Sequence, residues 1–159
     1  MADRFFGNDK ATEDPLTLKS FGHLSIRLHA AEALLERSGE FLDRAQADSN
    51  AETVAAASIA VAEVRALSTE ISLAAGSTLF ELAGSQATLA EHGLDRHWRN
   101  ARVHTLHDPV RWKYHVVGNW LLNDIKPPRH DWSLCHGRVV QEHLLGRYRP
   151  GLSRHPEHA

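Results

Sequence analysis

Side chains that could transfer protons are concentrated between residues 97 and 108 of the chain. His97, His104 and His107 are spaced seven and three residues apart, so a regular helix would place them on one face. Asp108 follows His107 directly, and a carboxylate beside an imidazole can orient it for proton transfer near neutral pH. His107 and Asp108 are therefore candidate catalytic residues. The alternative for Asp108 is a structural role as the N-cap of a following helix.

The same three histidines are of the type that zinc and iron sites use. However, the segment lacks the i, i+4 histidine pair of an HExxH site, and no glutamate or cysteine completes a ligand set. Histidines of this kind are more commonly satisfied by hydrogen bonds. We therefore predict no metal site, and a small metal-binding bundle remains the second alternative to the function given below.

Three arginines on this segment, Arg96, Arg99 and Arg102, form a basic stripe at three-residue steps. Such a stripe can bind phosphate, or it can pair with the acidic first part of the chain. Residues 1–93 carry 7 basic and 14 acidic side chains, whereas residues 94–159 carry 11 basic and 6 acidic ones. The net charge is −2 and no nucleic-acid-reading motif is visible, so we predict no nucleic-acid partner.

Helices are the elements that would position these groups. No proline lies between Pro15 and Pro109, and apolar residues recur at three- and four-residue steps over two long stretches. Asp14-Pro15 and Asp108-Pro109 each predict a helix start, with aspartate as the N-cap and proline in the first turn. The predicted helices cover about residues 15–48, 51–82, 94–106 and 109–123.

These elements predict an all-α protein, a four-helix up-down bundle over residues 14–126. An irregular N-terminal arm, residues 1–13, precedes the bundle. A weakly ordered C-terminal extension, residues 127–159, follows it, because the helical pattern is lost among prolines, arginines and histidines. No strand signal stands out anywhere in the sequence.

Composition and cysteine content suggest the compartment. Hydrophobic residues make up 42% of the chain, and the single cysteine, Cys135, excludes an internal disulfide and favours a reducing environment. The charged first residues lack the apolar centre of a secretory signal, and no apolar run reaches the roughly 18–20 residues of a bilayer span. We therefore expect a cytoplasmic protein with no membrane partner.

A resemblance to a known family is carried by residues 81–123, which read ELAGSQATLAEHGLDRHWRNARVHTLHDPVRWKYHVVGNWLLN. This stretch resembles the C-terminal helical domain of the acyl-CoA dehydrogenase superfamily, and residues 14–43 are similar to the preceding helix of that domain. The motif R-H-W-R-N-A-R-x-H-T-x-H-D-P at residues 96–109 resembles the flavin-dependent monooxygenase branch, which includes dibenzothiophene monooxygenase. The resemblance covers about residues 14–130.

The resemblance implies a flavin, FMN or FAD, bound between the helical bundle and a middle β-domain. It also implies that bundles pair subunits into a dimer or tetramer. In the dehydrogenase branch the matching helix junction often carries a catalytic glutamate followed by Gly-Thr, whereas this chain has His107-Asp108-Pro109. That departure favours the oxygen-using branch, in which the matching histidine assists the flavin hydroperoxide.

By the same resemblance, the site residues can be assigned by motif position. The implied catalytic residues are His104, His107 and Asp108, and the implied cofactor-binding residues are Arg96, Arg99, Asn100, Gly84 and Ser85. Relatives carry an N-terminal helical domain and a middle β-domain that this sequence does not show. We therefore expect the chain to be inactive alone. Three alternatives stay open: a truncated gene product, a separate subunit whose partner chain carries the flavin domains, or a remnant with an altered end. The first alternative function is a non-catalytic helical self-association module.

Overall fold

The computed structural model describes residues 10–107 and 109–128, and at His107 it describes the backbone alone. Four α-helices cover most of these residues, and no strand occurs among them. The helices are α1 Pro15–Ala47, α2 Ala51–Ala83, α3 Asp95–His107 and α4 Arg111–Asn123. The all-α prediction with four helices is confirmed. Most of the predicted N-terminal arm, residues 1–9, and most of the predicted extension, residues 129–159, lie outside the described residues.

Side-chain caps set the starts of the two long helices where the sequence predicted them. The Asp14 carboxylate accepts a hydrogen bond from the Thr17 backbone N–H at 2.6 Å, and this bond lowers the pKa of Asp14. At α2 the Asn50 side chain accepts from the N–H groups of Glu52 and Thr53 at 2.9 and 3.0 Å. The Thr53 hydroxyl accepts from the Asn50 N–H in return, which completes a capping box.

The start of α4 differs from the prediction by two residues. Pro109 and Val110 form a turn in which their carbonyls accept from the N–H groups of Trp112 and Lys113, at 3.1 and 2.9 Å. These i to i+3 bonds are tighter than α-helical ones, so the regular helix begins only at Arg111. Val110 occupies the N-cap position without a side-chain cap bond, and Asp108, the predicted cap, lies outside the described residues.

The other helices are arranged around α2. Helix α1 runs antiparallel to it, because Arg27 pairs with Glu70 while Arg37 pairs with Glu63. Helices α3 and α4 follow one another along α2 and also run antiparallel to it. This is shown by the contacts of Trp98 with Gly76 and of His104 with Arg65, followed by those of Tyr114 with Glu70 and of Lys126 with Glu52. The three flanking helices therefore share α2 as their common support.

Small side chains on α2 make this close packing possible. Most buried residues of the described chain lie on α2, and they are mainly alanines: Ala55, Ala57, Ala60, Ala62 and Ala66. A Cβ added at Gly76 would lie 3.3 Å from the Cα of Trp98, so only glycine fits there without a shift of α3. The composition of α2 thus determines how closely α3 can approach it.

The apolar residues of α1 divide into two sets. Leu24 and Ala31 lie with Ser38 on the side that α2 covers. A second set recurs every seven residues and is largely exposed, at 60, 47, 62 and 43% for Phe21, Leu28, Leu35 and Leu42. We call these four residues the α1 heptad stripe. Because residues seven apart drift by only about 20° around a helix, they form one continuous apolar line.

Within residues 10–107 and 109–128, none of the helices combines the length and the apolarity that crossing a bilayer requires.

Candidate functional site

Most of the predicted site residues share one exposed face of α3. At 100° per residue, Arg96, Asn100 and His104 lie within about 80° of one another, with Arg99 and Val103 beside them. All five are exposed, and the backbone of His107 continues the same face at the end of the helix. We call this surface the α3 face. It presents cationic and hydrogen-bonding groups next to one apolar side chain.

The cations on the α3 face differ in what they contact. The Nε of Arg99 lies 3.0 Å from the Oδ2 of Asp95, one turn earlier, as the i, i+4 spacing predicts. Within the described residues Arg96 has no hydrogen-bond or ion-pair partner, and it is exposed. Arg96 is therefore the arginine on this face most available for an anionic group, and Arg99 would have to share its charge with Asp95.

His104 is held by an arginine that sequence reasoning did not identify. The Nη2 of Arg65, on α2, donates to the His104 backbone carbonyl at 2.7 Å, and the Nη1 of Arg65 contacts the His104 Nε2. The two residues are 39 positions apart in the chain. The only available sequence signal was a lone cation within the small-residue stretch of α2.

The predicted residues Gly84 and Ser85 lie on another element, in the turn that follows α2. Gly84 has φ of 73°, the left-handed region that favours glycine, and it ends α2. Ser85 begins a short 3-10 helix, and its carbonyl accepts from the Thr88 hydroxyl at 2.7 Å. Both residues are exposed, and within the described part of the chain no hydrogen bond joins them to the α3 face.

The remaining candidates can be placed only in part. His107 is the last residue of α3, and the structure describes its backbone but not its side chain. Asp108 is not among the described residues. His97 is exposed, about 100° around α3 from Arg96, at the edge of the α3 face. Among the residues that the structure describes, no group of three or more histidine, cysteine or acidic side chains is arranged to hold a metal ion.

A second polar cluster, also missed by sequence reasoning, joins three helices at Glu70. Arg27 of α1 donates to one carboxylate oxygen at 2.7 Å, and the Tyr114 hydroxyl of α4 donates to the other at 2.6 Å. Partial burial raises the pKa of Tyr114 to about 12, and the hydrogen bond to Glu70 and its charge add to this effect. Glu70 and Tyr114 also line an open groove of about 420 Å³ between α2 and α4.

This shift predicts a stability change at high pH. Tyr114 keeps its proton in the folded state up to about pH 12, whereas an unfolded tyrosine loses it near 10. The stabilisation is therefore complete below pH 10 and is lost as pH rises towards 12. We expect a Tyr148→Phe chain, in which Tyr114 is the only tyrosine, to show tyrosinate absorbance with a midpoint near 12. Adding Glu70→Gln should lower that midpoint, and an unchanged midpoint would contradict the assignment.

Comparison with known proteins identifies the family of the chain. The sequence profile described as "Acyl-CoA dehydrogenase, C-terminal domain" matches residues 2–112. The chain is 38% identical over 124 residues to a dibenzothiophene monooxygenase from Mycolicibacterium goodii, a match that covers 76% of this chain and 30% of the relative. It is 37% identical over 120 residues to a probable FMNH2-dependent monooxygenase, SfnC, from Pseudomonas putida, covering 74% of this chain and 30% of the relative.

Solved structures show the same relationship. The methanesulfinate monooxygenase MsuC from Pseudomonas fluorescens matches with a TM-score of 0.73 at 35% identity, over 78% of this chain and 33% of that one. FMN-bound TdsC from Paenibacillus sp. A11-2 matches with a TM-score of 0.71 at 35% identity, over 76% and 31%. The chain thus spans about a third of the length of these relatives. It belongs to the acyl-CoA dehydrogenase C-terminal domain family, as the helical domain of its flavin monooxygenase-like branch.

Proposed function

We propose that the chain is the C-terminal helical part of a flavin-dependent monooxygenase and that its α3 face completes an FMN site. The observation that carries this proposal is the open α3 face itself, where Arg96, Asn100 and His104 are exposed side by side. FMN is preferred to FAD because one relative is described as FMNH2-dependent and TdsC has been solved with FMN bound.

The residues of the α3 face suit a flavin mononucleotide. Arg96 is exposed and has no partner among the described residues, so its guanidinium can bind a phosphate or a flavin carbonyl through charge-assisted hydrogen bonds. Asn100, one turn later, can both donate and accept, which matches the alternating polar edge of a flavin ring. When bound, the reduced flavin would supply the electrons for oxygen activation.

In this proposal the histidines at the end of α3 handle the proton. His107 is assigned as the group that protonates or hydrogen-bonds the reacting oxygen, a role that an imidazole can fill near neutral pH. Support comes from its position in the matched motif and from its place as the last residue of α3. His104 and Asp108 are assigned supporting roles on the same grounds, and Ser85 and Gly84 are assigned to the cofactor loop.

The chain would act only together with a further stretch of polypeptide that carries flavin domains. It spans about 30% of the length of its curated relatives. We therefore propose that polypeptide carrying flavin domains completes the substrate cavity, and that these 159 residues give no turnover without it. A cytoplasmic location is part of the same proposal and rests on the single cysteine, Cys135.

Self-association is the second candidate function, and the α1 heptad stripe favours it. An apolar line of four large side chains with a seven-residue repeat is typical of a helix that packs against another helix. We propose that a second copy of the chain covers this stripe, giving a homo-oligomer. Self-association is compatible with the FMN site. If the chain binds no flavin in any assembly, self-association is its whole function.

The Arg96 side chain provides a direct test of the FMN site. We expect Arg96→Gln to weaken FMN binding to the assembled enzyme by about tenfold or more, since a hydrogen bond to a charged group contributes about 1.5–3 kcal/mol. Flavin fluorescence titration would measure this. The matched control is Arg102→Gln, because Arg102 is exposed on the same helix but lies about 120° away from Arg96. Equal effects of the two substitutions would contradict the assignment.

A further inference from the structure

Arg65 joins the α2 helix to the end of the α3 face by hydrogen bonding. Its guanidinium contacts two different atoms of His104, the ring Nε2 through Nη1 and the backbone carbonyl through Nη2. Its Nε is buried and has no hydrogen-bond partner within the described part of the chain. The arginine therefore directs its outer two nitrogens at a single residue of a neighbouring helix.

The ring contact restricts the protonation of His104. A guanidinium remains protonated in proteins and can only donate, so the Nε2 of His104 can take part only as an acceptor. A neutral imidazole that accepts at Nε2 carries its proton on Nδ1. The contact with Arg65 thus selects the Nδ1–H tautomer, whereas without it either nitrogen could carry the proton.

The carbonyl contact stabilises the last turn of α3. His104 lies three residues before the end of the helix at His107, where backbone carbonyls lack intrahelical partners and carry the negative end of the helix dipole. A cation that donates to one of these carbonyls supplies the missing hydrogen bond and also neutralises part of the negative dipole charge. Arg65 therefore fixes the last turn of α3, which ends at His107.

We propose that Arg65 is a positioning residue of the FMN site. It fixes His104 as the Nδ1–H tautomer and anchors the last turn of α3, which ends at His107. This inference rests on the proposed function for its role in the reaction. The tautomer and the anchoring are properties of this chain that can be measured without any flavin.

The test is nuclear magnetic resonance of the full chain labelled with 15N at histidine. Two-bond proton–nitrogen correlations distinguish the tautomers when recorded at about pH 8.5, well above the ordinary histidine pKa of about 6.5. The His104 signals are assigned by their loss in His104→Gln. We expect the Nδ1–H pattern in the unaltered chain and a change towards the Nε2–H pattern, with line broadening of the His104 signals, in Arg65→Met.

The matched control is Arg37→Met, which removes another arginine that contacts α2, through Glu63, and should leave the His104 pattern unchanged. An Nε2–H pattern for His104 in the unaltered chain would overturn the proposal whether or not Arg65→Met folds. The proposal would also be overturned if His104 gave the same pattern in Arg65→Met as in the unaltered chain. FMN titration of the assembled enzyme separates the two claims: lack of binding with the Nδ1–H pattern present would refute the proposed function and leave the Arg65–His104 contact intact.

Discussion

Replacing His107 with alanine is expected to lower the turnover of the assembled monooxygenase by about 10²- to 10⁴-fold, because a positioned general acid or base usually contributes that much. The residue ends α3, on the helix face that also carries the exposed Arg96, Asn100 and His104. Only the reaction step that uses the proton of His107 should become slower. FMN affinity should therefore change little, which steady-state turnover and flavin titration on the same preparation would show.

The matched control for this prediction is His97→Ala. His97 is exposed on the same helix, ten residues before His107, but lies at the edge of the α3 face. Its removal should leave turnover within about twofold, since His97 is assigned no role in the proposed site and exposed substitutions usually have small effects. If both variants retained full turnover, His107 would not be the proton donor. If both lost it equally, the effect would be structural.

The second large effect is expected on assembly. Leu28→Glu combined with Leu35→Glu should weaken self-association by at least about 10²-fold, because each buried leucine contributes about 1.5–3 kcal/mol and the glutamates add buried charge. Both residues are in the centre of the α1 heptad stripe and are exposed in the single chain, so the fold itself should be unaffected. Sedimentation equilibrium would measure the association and circular dichroism the helix content.

A control of equal hydrophobicity is available on the same helix. Ile26 is 72% exposed but lies about 200° around α1 from Leu28, away from the stripe. Ile26→Glu should leave association unchanged. A double variant that associates as strongly as the unaltered chain would mean that the stripe is not the contact between copies. A monomeric unaltered chain would contradict the proposal that a second copy covers the stripe.

The helices were predictable because their signals are local. Asp14 caps α1 at the predicted position, and α2 begins at the predicted residue 51, because a cap needs only the next two or three residues. The predicted start of α4 was wrong by two residues. The Pro109–Val110 turn is closed by i to i+3 backbone hydrogen bonds, and no side-chain type in the sequence indicates such bonds.

The packing of α1 was less predictable. The periodicity of apolar residues predicted the helix, but it could not say which of those residues α2 covers. Because α2 is lined with alanines, the contact takes small residues of α1 such as Ala31 and Ser38 at close range. The larger Phe21 and Leu28 lie outside this contact and remain exposed.

Prediction of the site was limited by contacts between distant parts of the chain. The motif assigned Arg96, Asn100 and His104 to the site, and the structure places them on one face of α3. Arg65 could not be found in this way, because it reaches His104 across 39 residues and carries no motif of its own. Glu70, joined to Tyr114 across 44 residues, was missed for the same reason.

The central claim is that this chain completes an FMN site. The most direct test is the dissociation constant of FMN for a polypeptide carrying the upstream two-thirds of a relative, such as the Mycolicibacterium goodii dibenzothiophene monooxygenase, with and without this chain. We predict that adding the chain tightens FMN binding by at least about tenfold and that Arg96→Gln in the chain removes most of the gain. A stable complex in which FMN binds no more tightly than to the upstream polypeptide alone would contradict the claim.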